Sequence, residues 1–250
     1  ICETKDLNYE HDGLIIYKDK AFIIEVKSGK FREPLRDIDK SFNRIKDDFK
    51  RENSIQKAYI QALRLKKIIE SKKEFNLFSK KNGVIRVDAS NINETFIICI
   101  TAERQGILSV NLSLLLEKDE NEPYPWSCNI DTLEQLIDFC IFKGLTIDSF
   151  ISYLRERSIF HEKFLTSDEL EIFSYFFLNK TLKELVKGKD LITFDPSITE
   201  IFNDMYFGKT NFIKKADKKQ IVSYKNNYND SKKKNKKKIS NKSKAKNRKK

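Results

Sequence analysis

Residues 11–29 read HDGLIIYKDKAFIIEVKSG, and the way this stretch folds decides the reading of the chain. Gly13 to Tyr17 (GLIIY) and Ala21 to Lys27 (AFIIEVK) are short and rich in β-branched residues, with Lys18-Asp19-Lys20 between them. This is the pattern of a β-hairpin, ended by Ser28-Gly29. Side chains alternate along a strand, so Ile23, Glu25 and Lys27 share one face, and Phe22, Ile24 and Val26 line the other. A strand that is apolar on both faces belongs inside a sheet. A carboxylate and an ammonium at its end are then partly desolvated. The place of Asp12 depends on the turn. A turn at Lys18-Asp19 sets Asp12 across from Glu25, a turn at Asp19-Lys20 sets it across from Lys27, and a loop of all three residues sets it opposite Val26.

Two carboxylates held close together repel unless a cation lies between them. Mg²⁺ or Mn²⁺, hard and satisfied by one or two carboxylates plus water and phosphate, suits Asp12 and Glu25, with the Val26 carbonyl as a further ligand. Lys27 would orient or help deprotonate an attacking water and offset charge on a phosphate. A lone ExK in a strand is commonly no more than a solvated ion pair. The Asp ahead of the hairpin, the apolar strands, the Ser-Gly exit and the basic helices that follow favour chemistry.

On these residues the chain resembles the PD-(D/E)xK nucleases, nearest their nuclease-related (NERD-like) and RecB-like branches, over roughly residues 1–110. Asp12 matches the acid that opens the first strand, and Glu25 and Lys27 match the (D/E)xK that ends the second. The resemblance implies a restriction-endonuclease-like core, a mixed central sheet flanked by helices. It also implies Mg²⁺-dependent hydrolysis of phosphodiester bonds, in DNA. It further implies a helical Gln that contacts a phosphate or water. Gln61-Ala62-Leu63-Arg64 fits the QxxR form of that motif, with Gln56 as a competitor. Many relatives add an acid from a helix before the first strand. The chain opens at Ile1, so that helix is expected to be missing, and Glu3 and Glu10 are the nearby acids.

Outward from the hairpin, Pro34 can open a helix, and Ile38, Phe42, Ile45 and Phe49 recur at helical spacing. A second helix is predicted over about 54–70, with Ile55, Tyr59, Ala62, Leu63 and Ile69 on its apolar side. Gly83 to Asp88 (GVIRVD) reads as a strand, and Thr95 to Thr101 (TFIICIT) as a central one. Gly106 to Leu116 is ambiguous between strand and helix. The prolines of ENEPYPW, residues 120–126, mark a linker. Beyond it the pattern is helical from Asp131, with Glu134 three residues on as an N-cap signature, then over 147–159, 167–178 and 198–205. The expected organisation is a nuclease-like domain at 1–120, a mainly helical accessory domain at 121–213, and a disordered Lys-rich tail at 214–250.

The formal net charge of +12 belongs to that tail: residues 214–250 carry 17 Lys or Arg and 2 acids, and residues 1–213 carry a net −3. Within the body, residues 27–86 carry +10 and residues 87–213 carry −10. Lys30, Arg32, Arg44, Arg64 and Lys67 are the candidates for tracking a phosphate backbone. The tail favours non-specific nucleic-acid affinity. The acidic helical segment points to a protein partner. Cys2, Cys99, Cys128 and Cys140 form no CxxC pair, and His11 and His161 stand without obvious partners, which argues against zinc and against a Cys-His nucleophile. No apolar run is long enough to cross a membrane, and reduced, unpaired cysteines suit a cytoplasmic setting. The competing expectation is a catalytically inactive nuclease-fold module that binds nucleic acid and is tethered by its basic tail.

Overall fold

The computed structural model describes residues 2–4, 9–79, 83–207 and 221–224. The chain opens with β1 (Cys2–Thr4), β2 (Tyr9–His11), β3 (Gly13–Tyr17) and β4 (Lys20–Lys27). Strands β3 and β4 form the expected hairpin, with Tyr17 opposite Lys20 and Gly13 opposite Ile24. Of the three possible turns, the chain uses Lys18-Asp19. Two-residue loops match the twist of the flanking strands but need a left-handed residue, and Lys18 takes it at φ 55°. The turn is tied down by the Asp19 carbonyl, which accepts the amides of Asn93 and Glu94.

Next come α1 (Ile38–Lys50), α2 (Ile55–Glu70), β5 (Glu74–Ser79), β6 (Gly83–Asp88) and β7 (Glu94–Thr101). A short α3 (Ile107–Val110) and a 3₁₀ turn (Leu112–Leu114) resolve the ambiguous 106–116 stretch as helical. Then follow β8 (Trp126–Asn129), α4 (Ile130–Phe142), α5 (Ile147–Ile159), α6 (Glu169–Asn179), α7 (Lys183–Val186), β9 (Leu191–Phe194), α8 (Asn203–Phe207) and β10 (Ile221–Tyr224). No helix among the described residues is long and apolar enough to cross a membrane.

The fold is α/β. Its main sheet is mixed, in the order β3-β4-β7-β8, antiparallel between β3 and β4 and parallel across the other two pairs. Strand β7 is central, as its unbroken apolar run predicts. One face of the sheet, carrying Ala21, Ile23, Ile97 and Cys99, packs on Ile55, Ala58, Tyr59, Ala62 and Leu65 of α2. The other face, carrying Phe22, Ile98 and Ile100, packs with the helices beyond residue 130. A second sheet, ordered β2-β1-β5-β6, adds Leu77 and Val87 to the first of these cores.

The stretch after residue 120 departs from the expected helical accessory domain. It contributes β8 to the main sheet, and its helices share a core with Phe22, Ile98 and Ile100. The prolines of ENEPYPW mark a true loop, but Trp126 at its end is buried as the first residue of a strand. Helix α4 is capped at Asn129 and not at Asp131, which lies in its first turn. The 198–205 helix is a 3₁₀ segment, Pro196–Phe202, running into α8. In the expected disordered tail, Ile221–Tyr224 instead pairs antiparallel with β9, and the rest of 214–250 lies outside the described residues. The stripe predicted for α1 is mostly uncovered: Phe49 is buried, whereas Ile38 is 83% and Phe42 56% exposed.

A buried polar network joins the helices to the sheet. Glu169 accepts from Trp126 Nε1 at 2.8 Å, from the Tyr153 hydroxyl at 2.5 Å and from Arg157 Nε at 2.8 Å. Arg157 also donates to the Val110 carbonyl. His161, expected to be partnerless, accepts the Leu112 amide on Nε2 at 2.7 Å and faces Arg157 through Nδ1. Burial, and then the Arg157 charge, hold the His161 imidazole well below its usual range. The unfolded chain therefore takes up a proton below about pH 6.5 that the native state refuses. We expect this residue to make stability fall as pH drops from 7 to 5. His161→Gln, which keeps an acceptor for Leu112, should show a shallower decline in urea midpoint. Parallel profiles for variant and wild type would contradict a neutral buried His161.

Candidate active site

Glu25 and Lys27 lie on the last turn of the pleat in β4, where the strand leaves the sheet. The paired register would place Asp12 directly across from Glu25, but the ladder stops at Gly13 and the chain bends at Asp12 as β2 turns away to pair with β1. The bend changes which side chains meet. His11 reaches Glu25, Nδ1 to Oε1 at 2.9 Å, and Asp12 accepts the Val26 amide on Oδ2 at 2.7 Å. The expected contact between the Asp12 and Glu25 carboxylates is thus replaced by neighbouring anchor points on one strand. His11 is the site residue that the sequence reading missed. Its only signal was its place beside Asp12.

Glu25 is 1% exposed. Burial pushes its carboxyl above the usual range, the hydrogen bond and charge of His11 oppose that, and Asp12 adds to it. His11 is itself buried, and its Nε2 has no hydrogen-bond partner. Beside Glu25 in register, Cys99 of β7 is also buried, and burial followed by the Glu25 charge raises its thiol far above the usual range, so it stays protonated.

Lys27 donates to Gln61 Oε1 at 2.5 Å, from the end of β4 to the second turn of α2. This separates the two glutamines that the QxxR pattern left open. Gln56 is a structural clamp, donating to the Glu117 carbonyl and accepting the Glu117 amide, both at 2.8 Å. The exit of the strand is fixed on two sides. The Lys27 carbonyl accepts the Ala102 amide at 2.9 Å. Gly29 lies so close to α2's lead-in that a Cβ there would stand 1.9 Å from the Asn53 carbonyl oxygen. Only glycine fits that crossing.

The five basic candidates are dispersed in their contacts. Lys30 pairs with Glu103 at 2.7 Å, Lys67 with Asp119 at 3.4 Å, and Arg44 donates to the Glu33 carbonyl at 2.9 Å. Arg32 is bound through its backbone and guanidinium to the buried Asp48. Burial acts to raise the Asp48 carboxyl, and the hydrogen bonds from Arg32 outweigh it and hold the group below its usual range. Arg64 also has an interaction partner. Of the other cations on these helices, Lys66 is buried between Glu70 and Glu122, and Arg51 pairs with Asp48.

Among the described residues no group of three or more His, Cys, Asp and Glu side chains is arranged to hold a metal ion. Asp12, Glu25 and the Val26 carbonyl offer oxygen donors only, on neighbouring residues of the chain. Val26 turns its amide to Asp12, and the N–H and C=O of one strand residue share an edge, so its carbonyl opens toward the same side. Donors of this type are the kind that a hydrated Mg²⁺ or Mn²⁺ takes, and not the Cys and His set of structural zinc. Comparison with family models, with curated proteins and with solved structures finds no match to this chain.

Burial disfavours the ionised form of the Glu25 carboxyl, and the His11 contact offsets only part of that cost. Glu25→Gln, which keeps an acceptor for His11, should raise the melting temperature at pH 7 by a few degrees, roughly 1 kcal/mol. The native Glu25 carboxyl protonates at a higher pH than the unfolded one, so the advantage of the variant should shrink as pH falls toward 4.5. A melting temperature unchanged at both ends would rule out the desolvated carboxylate.

Proposed function

We propose that this chain is a divalent-metal-dependent nuclease with a restriction-endonuclease-like core, hydrolysing phosphodiester bonds in DNA. The observation that carries the reading is the pairing of Lys27 with Gln61 at the end of the strand that also carries the buried Glu25. Three separate sequence features, the acid before the hairpin, the ExK at its end and the helical Gln, converge on a few residues of one sheet edge.

In this reading Asp12, Glu25 and the Val26 carbonyl hold Mg²⁺ or Mn²⁺. The cation, when bound, polarises the phosphoryl group and lowers the pKa of the attacking water. The chain's own residues do the rest. His11 fixes the Glu25 carboxylate in one orientation. The Val26 amide does the same for Asp12. Gln61 holds the Lys27 ammonium in place beside the end of β4, where it offsets charge that grows on the phosphate and orients the water. Preorganised charge of this kind is worth far more in a partly desolvated site than in bulk water.

Purified protein should nick or degrade DNA with Mg²⁺ or Mn²⁺ and lose that activity in EDTA. Lys27→Ala and Asp12→Ala should each lower the rate by about 10²–10³-fold while retaining the wild-type circular dichroism spectrum. Gln61→Ala should cost less, because it frees the ammonium without removing it. Wild-type cleavage by Lys27→Ala would end the proposal. Absence of cleavage together with DNA binding that is lost on truncation after Tyr224 would favour an inactive module tethered by its basic tail.

A further inference from the structure

Strand β3 is an outer strand of the main sheet, and among the described residues only β4 pairs with it. The Lys18-Asp19 turn closes on Tyr17 and Lys20. Such a turn bonds the two residues that flank it, and bonding alternates along an antiparallel ladder. Gly13, Ile15 and Tyr17 therefore direct their N–H and C=O groups to β4, and Leu14 and Ile16 turn theirs outward. An unpaired row of this kind is a template for another strand.

Sheet edges are commonly blunted by a charge, a proline or a bulge. β3 reads GLIIY, and its ladder with β4 runs without a bulge. Both of its faces are apolar and open at the edge: Ile15 is 52% and Ile16 45% exposed. On the Ile15 side lies a cavity of about 360 Å³ whose lining holds no charged residue and includes Ile24, Ile137, Ile141, Ile147 and Phe150. Ile137, Ile141 and Ile147 are themselves exposed. A contiguous apolar patch marks an interaction surface, which scattered isoleucines would not.

The sequence of β3 fits its own copy. In antiparallel self-pairing, only a two-fold axis at Ile15 uses all five residues of the strand. Ile15 then faces Ile15, Leu14 faces Ile16, and Gly13 faces Tyr17. Leu14 and Ile16 carry the outward groups, so each of their pairs exchanges both N–H···O bonds, and Ile15 takes the non-bonded position where side chains come closest. Tyr17 covers Gly13, which has no side chain of its own. At the two ends Lys18 of one copy comes toward Asp12 of the other, opposite charges where like ones would repel. Asp12 uses Oδ2 for the Val26 amide, and Lys18 is otherwise in an exposed pair with Asp148 at 3.2 Å, of a kind that contributes little. A ladder of this length is a small contact by itself. Ile137 and Ile141 of α4 and Ile147 of α5 stand on the same side as Ile15 and enlarge it around the axis.

We propose that the free edge of β3 is a self-association surface, at which two copies of this chain pair antiparallel about a two-fold axis at Ile15. The two main sheets then join into one, β3 against β3. The β4 strands of the two copies run in opposite directions three strand spacings apart, about 14 Å. Their Lys27 ends point to opposite ends of the joint sheet, so each copy keeps its own candidate site. The pairing does not depend on the nuclease reading.

The test is sedimentation velocity of the full chain from about 1 to about 100 μM, in 0.3 M salt to screen the basic tail. The wild type should form a dimer that dissociates on dilution. Ile15→Lys and Ile15→Glu each set like charges against each other on the axis, and each should weaken self-association by at least about tenfold with an unchanged circular dichroism spectrum. An equimolar mixture of the two should recover the dimer, because Lys then faces Glu. Ile16→Pro removes an outward amide, leaves Ile15 in place and should also give monomer, which keeps the test open if a charged variant fails to fold. A wild type that stays monomeric at the highest concentration overturns the proposal. So does a dimer that survives these substitutions, or a mixture of the charged variants that stays monomeric. A monomeric wild type that takes up a labelled extended peptide would assign the edge to a foreign strand and overturn the second copy as its occupant.

Discussion

Burial of β4 on both faces governs what its C-terminal end can be. Ala21 and Ile23 are packed against α2, and Phe22 against the core built with the later helices. A slip of one residue would exchange these faces, so the register cannot drift. The same packing carries Glu25 into a place where water does not reach. A carboxylate there needs a partner to hold it, since an isolated buried charge costs several kcal/mol. His11 is that partner, delivered by the bend that ends the β3–β4 ladder. The shape of the site is thus a consequence of the core beneath it.

The second face of the sheet is secured by charge as well as by apolar contact. Glu169 gathers donors from β8 and α5, while Arg157 reaches the carbonyl of Val110 and His161 takes the amide of Leu112. These contacts fasten the 104–114 segment, which follows directly from the end of β7. The buried network and the sheet edge are therefore mechanically continuous. Loss of either charged partner would leave the other uncompensated. The helical region consequently acts as the second wall of the sheet, and its acidic balance includes residues that hold this wall together.

Most cations of the 27–86 block are occupied locally. Lys66 sits between two carboxylates, Arg32 and Arg51 share Asp48, and Lys57 pairs with Glu52 at 2.9 Å. A block net charge of +10 therefore overstates what a passing phosphate would meet.

The hairpin, the central strand at 95–101, the paired helices and the sharing of a face by Glu25 and Lys27 could all be read from the sequence, because each depends on local alternation or on helical spacing. Gln61 was legible as one of two glutamines, and its choice over Gln56 depended on which helical turn faces Lys27. Strand β8 was hidden because two prolines dominate the local pattern, while its reason for being a strand is its partner β7. The bend at Asp12 was hidden too. Local pattern places two carboxylates opposite each other, and only the pairing of β2 with β1 pulls the chain aside and puts His11 in the gap. The sequence by itself determined the elements and the chemical types at the end of β4. The tertiary structure decided who touches whom, because contacts between residues such as Lys27 and Gln61, or Asn129 and the edge of β7, are fixed by packing across long sequence separations that no local periodicity records.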